Sequence, residues 1–495
     1  DVTSNLIPAH FNRAIDAVVA PAGNEAGIAP GTIVCRSTLT EPANGCVPLN
    51  IFGTGIASPE SIAYVNVAPG QNYQIQHLTE EILSASAQGT LPFALAAGSI
   101  ALAAGVEHRQ ERGEVTTDRG AQARLYSLGN FAPFRGRYTV TEAFAELDIP
   151  VIEGRFGPSL NLSGASRFTH YSTSGLVATW KIGLTSQLTP QLHLRGTISQ
   201  DIRAPILDEL FSEGVATSGS AIDPHSGQNV PIFTFRTGNP ELRPEVARNY
   251  TVGLGLMPEA IPGLAVAVDY YRITIRDAIA TLTAPQVLSR CLKDEPPLCD
   301  QLVFGGPDGQ LSQINLSPLN LQTDLVEGLD TQLDYGRPAF RGLLRLRLIG
   351  TYVLRQSREQ LGDLVDFAGG IGPDNPVEGI PRARANLSLN WEHERLSLTG
   401  QLRFIGAAKL VNGWTARDVV RNRVPAIAYL DLRASYRPAE HLELYGAVDN
   451  LLNQDPPLLP GTADQGQNVY YFTATRGDLY DVVGLSYRVG ARIRF

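Results

Sequence analysis

The sequence predicts an all-β fold, a transmembrane antiparallel β-barrel of outer-membrane type. Three observations predict it: many segments alternate apolar and polar side chains, the connections between them are strongly unequal, and no stretch reads as a membrane helix. Composition agrees, since charged residues are 18% of the 495, below the quarter or so usual in soluble proteins, while 48 Gly and 33 Pro punctuate the chain. A mean hydropathy of -0.05 is too polar for a bundle of membrane helices but suits strands with one face in lipid and one in water.

Asp1-Val2-Thr3-Ser4 opens the chain without the basic region and apolar core of a signal peptide, so either such a peptide has been removed or the protein starts elsewhere. Leu91 to Val106 is mostly apolar, yet it contains Pro92 and Gly98-Ser99 and is shorter than the roughly 20 residues a membrane helix needs. It is predicted to be a turn followed by a strand, in which Ile100, Leu102, Ala104 and Val106 oppose Ser99, Ala101 and Glu107. Ala143, Ala145, Leu147 and Ile149 then oppose Glu142, Glu146 and Asp148, and Leu264, Val266, Val268 and Tyr270 oppose Ala265, Ala267 and Asp269. Leu344, Leu346, Leu348 and Tyr352 oppose Arg345, Arg347 and Thr351.

Two hairpins follow. Ala385, Leu387, Leu389 and Trp391 alternate with Arg384, Asn386, Ser388 and Asn390, and across His393-Glu394 Leu396, Leu398, Leu402 and Phe404 alternate with Ser397, Thr399, Gln401 and Arg403. Leu430, Leu432, Ala434 and Tyr436 alternate with Asp431, Arg433 and Ser435, and after Pro438-Ala439-Glu440 Leu442, Leu444, Gly446 and Val448 alternate with Glu443, Tyr445 and Asp449. The terminal stretch is the cleanest: Leu485, Tyr487, Val489, Ala491, Ile493 and Phe495 against Ser486, Arg488, Gly490, Arg492 and Arg494. Successive strand side chains point to opposite faces, so an apolar row against acyl chains and a polar row against water describe a barrel wall.

About fifteen such strands are legible, most near or above the roughly 9–11 residues a tilted membrane strand requires. A soluble β-sandwich alternates too, but its turns come roughly every 8–12 residues at both ends. Here the Pro438-Ala439-Glu440 turn contrasts with long connections from Glu209 to Glu245, Thr281 to Val326 and Asn453 to Leu479, as outer-membrane barrels are built. An odd strand count with no first partner implies that part of the wall is missing, because a sheet edge in hydrocarbon leaves backbone groups unpaired.

Cys35 with Cys46 and Cys291 with Cys299 form two local pairs in loop-like stretches, which suggests disulfides in an oxidising compartment. Four free thiols are the alternative, and a zinc site lacks the tight spacing and neighbouring His it would need. The eight His, among them His77, His108, His170, His193 and His393, show no metal-ligand spacing, so no metal and no cofactor is expected. Asp294, Glu295 and Asp300 read as a solvated acidic loop, with calcium the alternative. No nucleophile elbow, P-loop or dinucleotide fingerprint points to an enzyme. A net charge of -9 without a Lys/Arg cluster or RNA-binding aromatic motif argues against nucleic acid.

Four boxes resemble TonB-dependent receptors. Ser199-Gln200-Asp201-Ile202-Arg203-Ala204-Pro205 with Glu209-Leu210-Phe211, then Gly238-Asn239-Pro240-Glu241-Leu242-Arg243-Pro244-Glu245, then Val448-Asp449-Asn450-Leu451-Leu452-Asn453 before Pro456, and the strand ending in Phe495 stand in the family's order. The resemblance runs from about Gln71 to Phe495 and implies roughly fifteen strands of a barrel of about 22. No plug-like segment or TonB box is visible. By the resemblance, residues 1–70 are a long extracellular loop region, and residues 71–495 are the C-terminal barrel, with extracellular loops at about 204–245, 281–326, 355–380 and 453–479. The plug and the remaining strands would belong to another fragment.

The resemblance also implies roles. Arg345, Arg347, Arg384, Arg403, Arg433, Arg488 and Arg492, with Glu142, Glu146, Asp148, Asp431 and Glu443, face the lumen and hold the plug, substrate binding being the alternative. Phe233, Phe235, Tyr470, Tyr471 and Phe472 are ligand-capture candidates in long loops, or members of an aromatic girdle. Phe495 is the signal for the barrel-assembly machinery. The expected partners are outer-membrane lipid, the plug and remaining strands, TonB and a small ligand. The expected function is TonB-dependent uptake of a scarce siderophore, vitamin, saccharide or similar; the alternatives are a passive porin-like channel or a structural or adhesive surface barrel.

Overall fold

A computed structural model describes residues 5–154, 157–292, 296–305, 309–372, 380–459 and 475–494. Among these, one antiparallel ladder joins fifteen strands, each hydrogen-bonded to the next in sequence order. They are β1 (Gln74–Leu95), β2 (Gly98–Thr117), β3 (Phe134–Ile152), β4 (Ser159–Tyr171), β5 (Gly175–Thr189), β6 (Leu192–Arg203), β7 (Glu245–Leu256) and β8 (Leu264–Ala280), then β9 (Leu319–Ala339), β10 (Gly342–Gln360), β11 (Ala383–His393), β12 (Leu396–Ile405), β13 (Ile427–Ala439), β14 (Leu442–Asp449) and β15 (Ser486–Ile493). No helix among the described residues is long and apolar enough to cross a membrane.

Registers carry the alternation across the whole ladder. Leu346, Leu389, Gly400, Leu432, Val448 and Tyr487 are successive partners on β10 to β15, and Leu102, Leu147, Gly164, Ile182 and Ile198 on β2 to β6. One residue away, Arg345, Asn390, Thr399, Arg433, Ala447 and Arg488 are likewise partners. Paired residues share a face, so one side of the sheet is a continuous apolar belt and the other a polar wall.

The connections at one end are tight, at Ala96-Ala97, Phe340-Arg341, Glu394-Arg395 and Glu440-His441. At the other end lie the long segments between β6 and β7, β8 and β9, and β14 and β15. The tight end is the periplasmic one in barrels of this type and the long-loop end the extracellular one. The turn expected at the start of Leu91 to Val106 lies later, because β1 continues through Pro92 with a register break between Thr90 and Ala94. Pro is tolerated there since β1 pairs on one side only and the break leaves no ladder bond for its missing N–H. Residues 5–72 carry the helices Pro8–Ile15 and Pro59–Val65 and lie at the long-loop end of the ladder. The Asn5 side chain donates to the Leu128 carbonyl (2.7 Å) and accepts from Ser127 Oγ (2.6 Å), in the segment between β2 and β3.

The long connecting segments are themselves folded. Asn130–Phe131, Val215–Ile222, Asn229–Arg236, Leu302–Phe304 and Leu311–Leu316 make a five-stranded sheet from three different connections. Its core buries Val230, Ile232, Leu311 and Ile314 against Val287 of the helix Ala284–Cys291. Cys291 is bonded to Cys299 in that segment, and Cys35 to Cys46 in the N-terminal one. A second core, including Ile371, Leu410, Val424, Tyr429 and Tyr480, joins the connections after β10, β12 and β14.

Asp223 fixes a turn of the five-stranded sheet. Fully buried, its carboxylate accepts the backbone N–H groups of Leu311 (2.5 Å), Ser226 (2.6 Å) and His225 (2.9 Å). Those donors hold its pKa down at about 2. A carboxyl group with a lowered folded-state pKa stabilises the fold above its ordinary titration range and stops doing so as pH falls toward the lowered value. Hydrogen exchange at Leu311 is therefore expected to stay slow down to about pH 4 and to accelerate between there and about pH 2. In Asp223→Asn that pH step disappears; a step of unchanged size would remove Asp223 as its origin.

Candidate functional site

The polar wall is laced by its own ion pairs. Arg345 pairs with Glu392 (3.0 Å), Arg347 with Asp334 (3.5 Å), Arg488 with Asp449 (2.8 Å), Arg492 with Glu443 (3.4 Å) and Arg167 with Glu142 (2.5 Å). Asp148 accepts from Asn161 (2.6 Å). Most of the charged residues expected to line the lumen thus have a lateral partner on a neighbouring strand. Arg384, Arg433 and Glu146 lie on the same face and make no ion pair among the described residues. Of the charges expected to line the lumen, these three have no lateral partner among the described residues, and Lys181, on the same face through Ala165, has none either.

At the extracellular rim the boxes meet one another. Arg203, at the end of β6, reaches both Glu209 oxygens (3.0 Å each) and Glu245 (2.6 Å) at the start of β7. Glu209 also accepts the Ile206 N–H (2.9 Å), capping the short helix Leu207–Phe211. That helix lies inside the rim, with Phe211 over Gly136 so closely that a Cβ there would clash with the ring. Gly238 approaches the same helix, donating to the Ser212 carbonyl (2.6 Å), and its missing Cβ leaves room for the Leu210 and Phe211 backbone. The spacing of the boxes therefore builds a folded-in corner of the mouth.

A second arginine works the same way across the barrel mouth. Arg403 binds Asp431 through two contacts (2.7 and 3.1 Å) and Asp481 (3.1 Å), and stacks over the Tyr429 ring at 5.0 Å. Asp431 also accepts the N–H of Asn450 (2.9 Å). Asn450 and Asn453 both take positive φ, a conformation Asn tolerates; the Asn450 amide bonds locally to Gln454, and the Asn453 side-chain oxygen accepts the Leu485 N–H.

The aromatic candidates divide. Phe233 is partly exposed, whereas Phe235 is only 8% exposed and stacks beneath Arg124, whose guanidinium sits 4.3 Å from its ring centre. Phe235 is thus a packing residue of the loop sheet, removed from ligand contact by burial. Tyr470, Tyr471, Phe472 and Phe495 lie outside the described residues, as do Asp294 and Glu295.

The family described as TonB dependent receptor-like, beta-barrel matches residues 50–451. The chain belongs to this family. As such a receptor barrel it resides in the outer membrane as a multi-pass β-barrel, and the family is one of receptors rather than enzymes. No curated protein matches it. Its fold is similar to the ferric enterobactin receptor PfeA of Pseudomonas aeruginosa, with 19% identity and a TM-score of 0.59, covering 84% of this chain and 54% of that one. It is also similar to the siderophore receptor PirA of Acinetobacter baumannii, at 14% identity and TM-score 0.57 over 84% and 55% of the two chains. PirA of Pseudomonas aeruginosa gives 17% and 0.52 over 85% and 57%. The receptor barrel described here spans little more than half the length of these structures.

Two features of this receptor barrel escape the alternation: the bridging role of Arg203 and the second partner of Arg403. The quoted boxes contain Arg203, Glu209 and Glu245, so their charges were visible, but their meeting was not. Asp481 stands 78 residues from Arg403 with no periodic signal around it.

Proposed function

We propose that this barrel is the outer part of a receptor that takes up a scarce ligand actively, under TonB control, with a plug and further wall strands supplied by the rest of the same receptor. The observation that carries the reading is the trio Arg384, Arg433 and Glu146, wall charges left over after lateral pairing and suited to grip a plug. A barrel of this width without a filling is an open aqueous channel. Among the described residues the outer edges of β1 and β15 are unpaired, which supports the further strands, since such edges in hydrocarbon leave backbone groups unsatisfied. The ligand belongs to the class of siderophores, vitamins or saccharides, captured at the folded loops where Phe233 remains accessible. TonB and the barrel-assembly machinery complete the partners.

Uptake of labelled ferric siderophores, cobalamin and oligosaccharides by cells carrying the full receptor tests this. Active uptake stops when a protonophore collapses the proton gradient; a passive channel continues, and an adhesive barrel takes up nothing. Arg384→Gln combined with Arg433→Gln is expected to raise leakage of large antibiotics several-fold without lowering surface abundance. Unaltered leakage would remove these residues from plug retention.

A further inference from the structure

The apolar belt is interrupted on β7 to β10. There the register runs Val252, Tyr270, Leu329, Tyr352 and, one step toward the extracellular end, Tyr250, Arg272, Glu327, Arg355. Next above come Arg248 opposite Thr274, then Arg276 opposite Val246. All are on the belt face, the same side as Leu254 and Val268, and Arg248, Arg272, Arg276 and Arg355 are exposed.

Arg272 stands eight residues above the tight-turn end of β8, at Leu264. A tilted strand climbs about 20 Å over that length, close to the height of the apolar band. The tyrosines mark the level of the interface, and the arginines lie just beyond it, facing outward. None of the four arginines makes an ion pair with a carboxylate among the described residues, and the carboxylate in the row, Glu327, accepts from the Tyr270 hydroxyl (2.8 Å). Arg248, Tyr250, Tyr270, Arg272, Thr274 and Arg276 line one groove of about 500 Å³.

We propose that this groove binds the phosphorylated headgroup of the outer-leaflet glycolipid. Its position settles the choice of ligand source: the groove opens sideways into the lipid headgroup layer, away from the lumen and from the loop sheet. Guanidinium forks match phosphate oxygens bidentately, and the tyrosine faces below suit the sugar and the first methylenes of the acyl chains. The patch would therefore hold a lipid molecule as a fixed part of the wall beside β7 and β8.

Native mass spectrometry of the full receptor, purified in detergent and titrated with bisphosphorylated lipid A, tests the proposal. Replacing Arg248→Gln, Arg272→Gln and Arg276→Gln together is expected to weaken binding roughly 100-fold, three factors of about fivefold. The corresponding triple Lys variant keeps the charge but loses the bidentate fork and binds between parent and triple Gln, and Arg272→Gln alone loses about fivefold, which keeps the test open if the triple Gln variant does not assemble. Dephosphorylated lipid A binds the parent no better than bisphosphorylated lipid A binds the triple Gln variant, and equimolar inorganic phosphate does not displace the lipid. Equal lipid affinity in parent and Gln variants, indifference to dephosphorylation, or displacement by inorganic phosphate at that level would each overturn it.

Discussion

Leu432→Arg is expected to cut the assembled, heat-modifiable fraction of the receptor in outer membranes roughly thirtyfold, corresponding to about 2 kcal/mol at the low end of the cost of a lipid-facing arginine near mid-membrane. Leu432 lies in the middle of β13, flanked by Gly400 and Val448, and every member of that transverse row is apolar or glycine until Tyr487. Its guanidinium would have acyl chains around it and no carboxylate within reach on that face. Thr399→Arg is the matched control, because Thr399 pairs with Arg433 on the opposite, polar face. It should assemble at close to the parent level. If both variants assemble equally, the division of the sheet into a lipid face and a water face is wrong, and the transport reading goes with it.

How much of this was legible before the fold was known depends on which medium each residue meets. Inside the membrane one face is greasy and one is wet, so a strand such as β15 announces itself through Leu485, Tyr487, Val489, Ala491 and Ile493. Even the pairing follows, since hairpins with tight turns at Glu394-Arg395 and Glu440-His441 admit only one register that keeps apolar beside apolar. Above the membrane both faces are wet and the alternation stops, but hydrogen bonding does not. β9 therefore starts at Leu319, inside the segment expected to be loop up to Val326, and β10 runs on to Gln360, past the expected strand end near 355. The turn expected at Pro438-Ala439-Glu440 moves by a residue for a related reason, because β13 absorbs Pro438 in a register break between Tyr436 and Ala439.

The site was legible in part. Local cysteine pairs 11 and 8 residues apart could be read as bonded, because short loops bring their ends together without help from the rest of the fold. Phe235 could not be read as buried, because its cover comes from Arg124 and from a parallel pairing with Asn315, both remote in sequence. Alternation puts the arginines expected to line the lumen on one shared face, and the registers do the same; their partners across strands required the register.

Arg403→Met is expected to release the extracellular segments after β12 and β14, weakening their protection against hydrogen exchange by about 2–3 kcal/mol while leaving β1 to β8 unaffected. The side chain of Asp431 is 3% exposed and that of Asp481 12%, so removing their shared guanidinium strands two carboxylates with little water. Arg403 itself is a third exposed, which keeps the effect below that of a fully buried pair. Asp431 retains the Asn450 N–H, and that remaining bond limits the loss further. Asp431→Asn in the Arg403→Met background removes one stranded charge and should recover part of the protection, an outcome that simple loss of arginine packing over Tyr429 would not give. If the double variant is no better than Arg403→Met alone, the bridge acts through packing rather than charge, and the loop anchorage must be assigned to the hydrophobic core around Tyr429 and Tyr480 instead.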